Sequence, residues 1–324
     1  MPAALSVIIP TRDRPQWLAQ AIDSIIRGSL PAEEYQIVVA DNGEREGVAE
    51  IVAQCRWRFQ QIHHVRVEQP GLHEARHAGM RAAHGDLLVF CDDDIITGET
   101  WLESIRDAFR DPKVWMVGGN DLPRFEGPPP RWIEVLWARR GRIGRSIDAL
   151  SLVDFGRPER DIPPHYIFGC NFAIRRAVLH EAGGFHPDGL PADRLRYRGD
   201  GETHVSEFVR RQGGRARYVP GASVHHLVTR DRMTPEYFET RYFAQGVSDS
   251  YAVVRAARRI DPLRARAELM RVSGHWLHRC LRTPSLARRQ WRWWHAYRRG
   301  FKFHQSEVAR DSTLLAWVLK DTYL

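Results

Sequence analysis

Cysteine is scarce: Cys55, Cys91, Cys170 and Cys280 are the only four in 324 residues, and no two share a CxxC or zinc-like spacing. A disulfide framework or a cysteine-built zinc module is therefore not expected; reduced, mostly buried thiols are. Long apolar runs are also missing. None approaches the roughly 20 residues of a membrane-spanning helix, and the first residues lack a basic stretch followed by a signal-like apolar core. The expected location is the cytoplasm. No internal repeat is visible.

What is present is an ordinary globular composition, 43% hydrophobic and 27% charged, in a chain long enough for one extended or two fused domains. The net charge of +8 is unevenly spread. Tyr251 to Arg310 holds 15 Lys and Arg against 3 Asp and Glu, while the preceding residues are slightly negative. The basic character belongs to the C-terminal segment.

Strand and helix signals alternate from the start. Leu5 to Pro10 reads as a buried strand followed by a polar turn, Thr11 to Pro15. Trp17, Leu18, Ala21, Ile22, Ile25 and Ile26 recur at the helical period, and Gly28 closes that helix. Gln36 to Ala40 predicts a second strand ending at Asp41, Val48 to Cys55 a helix, and Val65 to Glu68 a weaker strand. Leu72 to Ala83 follows as a helix, then Leu87 to Cys91 as a fourth strand. This alternation argues for an α/β fold with a mostly parallel sheet.

The fourth strand runs directly into Asp92, Asp93 and Asp94. A strand buried on both faces delivers such residues to the sheet rim, where open α/β sheets bind ligands. If Asp92 and Asp94 point the same way, they offer hard oxygen donors to a divalent cation that a diphosphate can complete. The alternative is a solvated strand-to-helix loop with an N-capping aspartate for a segment starting near Thr97.

Beyond Asp94 the pattern is less regular. Trp101 to Arg110 predicts a helix, Val114 to Gly118 a strand, Phe125 to Arg131 a proline-rich connecting loop, and Ile167 to Ile174 another strand. Arg176 to Ala182 reads as a helix closed by Gly183 and Gly184. Gly199 to Glu202 (GDGE) opens a helix running to Arg211, and a late strand ends in His225 and His226. From about Thr234 onward the chain reads as helical, broken at Pro262 and Pro284. Within it, Arg288 to Phe303 interleaves arginines with Trp291, Trp293, Trp294, Tyr297, Phe301 and Phe303. Three readings stand for that stretch: a helix lying on anionic lipid, a helix packing its rings on the main domain, or a nucleic-acid contact.

Taken in order, Pro10–Thr11–Arg14, the strand ending at Asp41, Gly71 to Gly85, the acidic triplet, GDGE and PGASVHH resemble the family-two glycosyltransferases with a GT-A fold. The resemblance covers about Leu5 to His226. It implies a Rossmann-like, mostly parallel mixed sheet flanked by helices, followed here by a C-terminal helical extension. The expected divisions are 1–115 for nucleotide-sugar binding, 116–233 for acceptor binding and 234–324 for the basic extension.

The resemblance also implies an inverting, metal-dependent enzyme moving a sugar from a nucleoside diphosphate, UDP or dTDP favoured, to a hydroxyl acceptor. That acceptor would be a glycan or a lipid-linked precursor of a bacterial surface glycan. Pro10, Thr11, Arg12 and Arg14 match the turn against the nucleotide, Asp41 the acceptor for the base, and Arg76 a contact to the diphosphate. Asp92 and Asp93 match donor contacts and Asn171 a loop facing donor or acceptor. Asp94, with Asp92, matches the ligands of Mg2+ or Mn2+, completed by His226 or, with a one-residue shift, His225.

Asp200 matches the base and is preferred over Glu202. Two departures stand out, His77 where asparagine is common and Gly199 where a glutamate precedes the base. The alternatives are a nucleotidyltransferase, for which Thr11 to Pro15 lacks the glycine-rich loop and lysine, and a nucleic-acid-binding module led by the basic C-terminal segment. Nucleic acid is the less favoured partner. Contact of the C-terminal helices with the inner face of an anionic membrane is expected from the first of the three readings, and self-association is compatible with the sequence.

Overall fold

Leu87 to Cys91 are five consecutive buried residues, and such a run is shielded only in the interior of a sheet covered on both faces. The computed structural model describes residues 5–44, 46–141 and 143–324 and places them there. In chain order the first elements are β1 (Leu5–Thr11), α1 (Pro15–Ile26), β2 (Tyr35–Asp41), α2 (Val48–Arg56), β3 (Ile62–Arg66), α3 (Leu72–Ala82) and β4 (Leu87–Cys91). Next come β5 (Ile95–Thr97), α4 (Trp101–Ala108), β6 (Val114–Gly118), β7 (Asp121–Phe125), α5 (Arg131–Ala138), β8 (Arg145–Ile147), β9 (Leu152–Asp154) and β10 (Arg160–Ile162). They are followed by β11 (Asn171–Arg175), α6 (Arg176–Glu181), α7 (Thr203–Arg211), β12 (Arg215–Tyr218) and β13 (Val224–Val228). The last four are helices: α8 (Pro235–Ala257), α9 (Pro262–Arg282), α10 (Ala287–Arg310) and α11 (Ser312–Val318).

Eight strands form the main sheet in the order β10-β12-β6-β11-β4-β1-β2-β3. β1 runs parallel to β2 and β4, and β2 to β3, whereas β11 is antiparallel to both β4 and β6. The segments before and after residue 115 thus share one continuous sheet. A second sheet, β5-β13-β7-β9-β8, leaves the first at the turn after β4. Apolar residues fill both faces of the main sheet: Val7, Ile9, Ile37 and Val39 on one side, Ile8, Val38, Leu88 and Phe90 on the other.

Several expected boundaries move. The third strand begins at Ile62, in register with Ile37, and ends at Arg66 instead of Glu68. Of the expected 167–174 strand only Asn171 to Ile174 pairs with β4, and the strand continues one residue further to Arg175. The segment near Thr97 is strand β5, not a helix start, and the proline-rich loop leads into an unforeseen helix, α5. His225 and His226 lie in the middle of β13 and not at its end.

No helix among the described residues is long and apolar enough to cross a membrane. The helices after Pro235 pack as a bundle in which α8 and α10 cross at two glycines. A Cβ on Gly246 would collide with the Tyr297 carbonyl oxygen, and one on Gly300 with that of Phe243. Trp293, Tyr297 and Phe301 are buried in this bundle, so packing accounts for the rings expected to reach lipid or bases; Trp291 is the exception, 55% exposed.

The same bundle braces the loop before α7. Ser248 on α8 donates to the Gly199 carbonyl (2.7 Å) and accepts from Arg198 (3.0 Å), while Trp317 on α11 donates to the Tyr197 carbonyl (3.1 Å).

Candidate active site

β4 belongs to the large sheet and β5 to the small one, so the three aspartates between them form the link joining the two. Antiparallel pairing sets His226 opposite Ile95, and Leu227 donates its N–H to the Asp94 carbonyl at 2.9 Å. This register brings the imidazole to the acidic turn: His226 Nε2 lies 3.2 Å from Asp94 Oδ1. One ligand-type atom each from Asp92, Asp94 and His226 falls within 4.8 Å of the others. His225 points the other way and is exposed, as alternation along a strand requires.

Asp92, Asp93 and His226 line a cleft of about 370 Å³ at the carboxyl ends of β1 and β4, with Asp94 behind them, outside its lining. Pro10, Thr11, Arg12 and Arg14 line one side. Thr11 donates to Asp93 Oδ2 (2.7 Å), and one Arg14 nitrogen lies 3.3 Å from both Asp93 and Asp94. Arg232, which follows β13, places its guanidinium 3.3 Å from the same Asp94 oxygen and 3.2 Å from His226 Nε2.

The electrostatics follow from burial against these neighbours. Burial and the Asp94 charge raise the Asp92 carboxyl, and burial carries Asp93 up to about 7. At Asp94 burial pushes the same way, but contact with His226 and the nearby arginines outweighs it and holds the carboxyl at about 2. Burial would depress His226, yet Asp94 and Asp92 raise it.

Two carboxylates and an imidazole are a donor set suited to Mg2+ or Mn2+. The fit has a further mark. His226 Nδ1 is buried without a partner, and Asp94 Oδ1 has only the 3.2 Å approach of His226 Nε2, which lacks hydrogen-bond geometry, a state in which polar atoms rarely rest.

Across the cleft, buried Arg76 donates to Glu202 Oε2 (3.3 Å) and to the Gly169 carbonyl (3.1 Å), and stacks 5.1 Å from the Phe185 ring. The Gly169 N–H donates to Glu202 Oε1 (3.2 Å), so the carboxylate is held on both oxygens while lining the cleft.

Asp200 is absent from that lining. Its Oδ1 lies 2.5 Å from His186 Nδ1, whose ring stacks on His204 at 3.7 Å. Asp41 is likewise outside the cleft, engaged by Arg66 (3.0 Å), His64 (3.2 Å) and the Gly43 N–H (3.0 Å). Asn42 lines the cleft beside it. Asn171 is buried as a tie between elements, accepting from Trp101 Nε1 (3.1 Å) and donating to the Ala222 carbonyl (2.9 Å). It does not face the cleft.

Cleft residues that had not been singled out from the sequence include the polar side chains of Asp188, Arg232, Tyr237 and Arg241. Burial raises the Asp188 carboxyl, but Arg198, Arg241 and Arg76 outweigh it and hold it low. Tyr237 and Arg241 stand four apart at the start of α8, a one-face spacing that was open to notice. His77, at the position where asparagine is common, accepts the Phe185 N–H at 2.9 Å and is structural.

Comparison with known proteins places this arrangement. The family model for "Glycosyl transferase family 2" matches residues 6–183. The pre-mycofactocin glycosyltransferase of Mycobacterium tuberculosis is 26% identical over 229 residues, covering 68% of this chain and 42% of the relative. The glucosyl-dolichyl phosphate glucuronosyltransferase of Haloferax volcanii is 22% identical over 254 residues, 75% of each chain. Against several relatives the chain spans less than half of their length, 38% to 47%. Among solved structures, the mannosyltransferase PcManGT of Pyrobaculum calidifontis, in complex with GDP-Man and Mn2+, superposes with a TM-score of 0.55 at 18% identity. That superposition covers 98% of this chain and 86% of the other. The fold is the GT-A fold expected above, with a helical C-terminal region.

Proposed function

For a chain that belongs to glycosyl transferase family 2, as this one does, we propose transfer of a sugar from a nucleoside diphosphate to a hydroxyl acceptor with inversion, Glu202 acting as the base. The observation that carries this reading is a cleft with Asp92 and His226 on one wall, backed by Asp94 of the same cluster, and the Arg76–Glu202 pair on another. In the reaction, the acceptor oxygen forms a bond to the anomeric carbon as its proton passes to the Glu202 carboxylate. The bond from that carbon to the diphosphate oxygen breaks, and its electron pair leaves with the nucleoside diphosphate.

Arg76 and the Gly169 N–H hold the Glu202 carboxylate oriented at the cleft wall. Arg14 and Arg232 supply positive charge beside the diphosphate position. Asp92, Asp94 and His226 would hold Mg2+ or Mn2+, which when bound neutralises charge developing on the departing diphosphate. Structural likeness to a protein solved with GDP-Man and Mn2+ agrees with this assignment.

A UDP or dTDP donor needs an acceptor for the imide N–H of its base. Asp41 is tied to Arg66 and His64; Asn42 lines that end of the cleft, and its Oδ1, which accepts from the Gly71 N–H at 3.1 Å, keeps a second lone pair for the base. The proposed hydroxyl acceptor belongs to a surface-glycan or lipid-linked precursor, in keeping with the relative named for a dolichyl phosphate substrate.

The test is hydrolysis and transfer across UDP, dTDP and GDP sugars with Mg2+ or Mn2+. One UDP or dTDP sugar is expected to be turned over. Glu202→Gln should then lower transfer by about 10²-fold or more while nucleotide affinity stays within a few-fold. Full activity in that variant would remove Glu202 as the base.

A further inference from the structure

α9 is apolar on two opposite faces, and only one of them is covered. Ala265, Leu269, Val272 and Trp276 turn inward against Tyr242, Tyr297 and Phe301. On the other side Leu263, Met270, Leu277 and Leu281 are 81%, 61%, 61% and 70% exposed. Their spacing of seven, seven and four residues puts them in a single stripe along a helix about 30 Å long. Gly274 lies on the same stripe, and a Cβ there would meet nothing within 4 Å.

Exposed apolar side chains scattered singly need no explanation, but a row of them on one helix marks a contact surface. The charges flanking this row are of one sign. Arg264, Arg266, Arg271, His278 and Arg282 are all exposed. The single acidic residue of the helix, Glu268, is already paired with Arg271 at 2.5 Å. Arg264, Arg266 and Arg282 have no carboxylate partner among the described residues.

We propose that the outer face of α9 docks in the plane of an anionic lipid surface, with its leucines and Met270 entering the acyl boundary and its arginines on the phosphates. This division of labour between an apolar stripe and lateral arginines is what an interfacial helix requires. A second copy of the chain fits poorly. Two such stripes would bring arginines together with no free acid between them, and four side chains fall short of the roughly 800 Å² per partner of a stable dimer. Nucleic acid would use the arginines but leave the leucine row unaccounted for. The assignment is independent of sugar transfer, because it concerns a surface away from the cleft and is read without any donor.

The experiment is flotation of the full chain with phosphatidylglycerol-containing vesicles, against pure phosphatidylcholine vesicles and against none. Flotation is expected with the anionic vesicles alone. Met270→Glu with Leu277→Glu should cut the floated fraction by about tenfold without changing the melting temperature, since both sites are exposed. Leu277→Ser with Leu281→Ser provides the same reading with neutral replacements. Three results would each overturn the proposal: absence of flotation, equal flotation of both double variants, or a lipid-free dimer in sedimentation velocity that these substitutions dissolve. RNA binding with the same substitution pattern in place of vesicle binding would reassign the face.

Discussion

Glu202 and Asp200 are two residues apart, yet one lines the cleft and the other is spent on His186. The residue between them decides this: Gly201 adopts φ +55°, a left-handed conformation that reverses the local direction of the chain. A sequence displays both carboxylates and conceals the turn, which is why Asp200 was preferred and why the geometry favours Glu202. The position of Asp92 and Asp94 at the sheet rim was legible for the opposite reason, since a fully buried strand allows little choice about where its last residues emerge. Arg232 was not legible, because it reaches Asp94 across a strand and a turn. Its guanidinium and that of Arg14 both contact Asp94 Oδ2, occupying by charge the neighbourhood a cation would need. Arg232→Met is therefore expected to tighten Mn2+ binding to the nucleotide-free protein, on the order of tenfold. Calorimetry reads this directly, and unchanged or weaker Mn2+ affinity would contradict it.

At the scale of elements, strands with long buried runs were foreseen and three-residue strands were not. β5, β8 and β9 are too short to show any period, and their pairing depends on partners far along the chain. The bundle was foreseen as helical but not as a close-packed pair. α8 and α10 approach until main chain meets main chain, which Gly246 and Gly300 permit and no larger residue would. Gly300→Ala should thus lower stability by about 1–3 kcal/mol despite its better helix propensity. Urea unfolding measures the sign: a gain in stability would show that the helices can separate without loss.

For the molecule as a whole, buried imidazoles set a pH dependence. Burial pulls His77 to about 3 and His304 to about 4. Both are unprotonated in the fold at pH values where the unfolded chain, near 6.5, takes up protons. Stability from these groups is complete above about 6.5 and is lost as pH falls toward 4. Each costs about 1.4 kcal/mol per pH unit in that window. The stability advantage of wild type over His304→Gln should accordingly shrink by about 1 kcal/mol between about pH 7.5 and about pH 5.5. A constant difference would place the His304 proton elsewhere.

α8 begins at the cleft, with Tyr237 and Arg241, and runs 23 residues to Ala257 at the far side of the bundle. At 1.5 Å per residue it is a strut of about 35 Å. If the outer face of α9 docks as proposed, whatever grips the helical end also sets the tilt of the cleft at the other end of this strut.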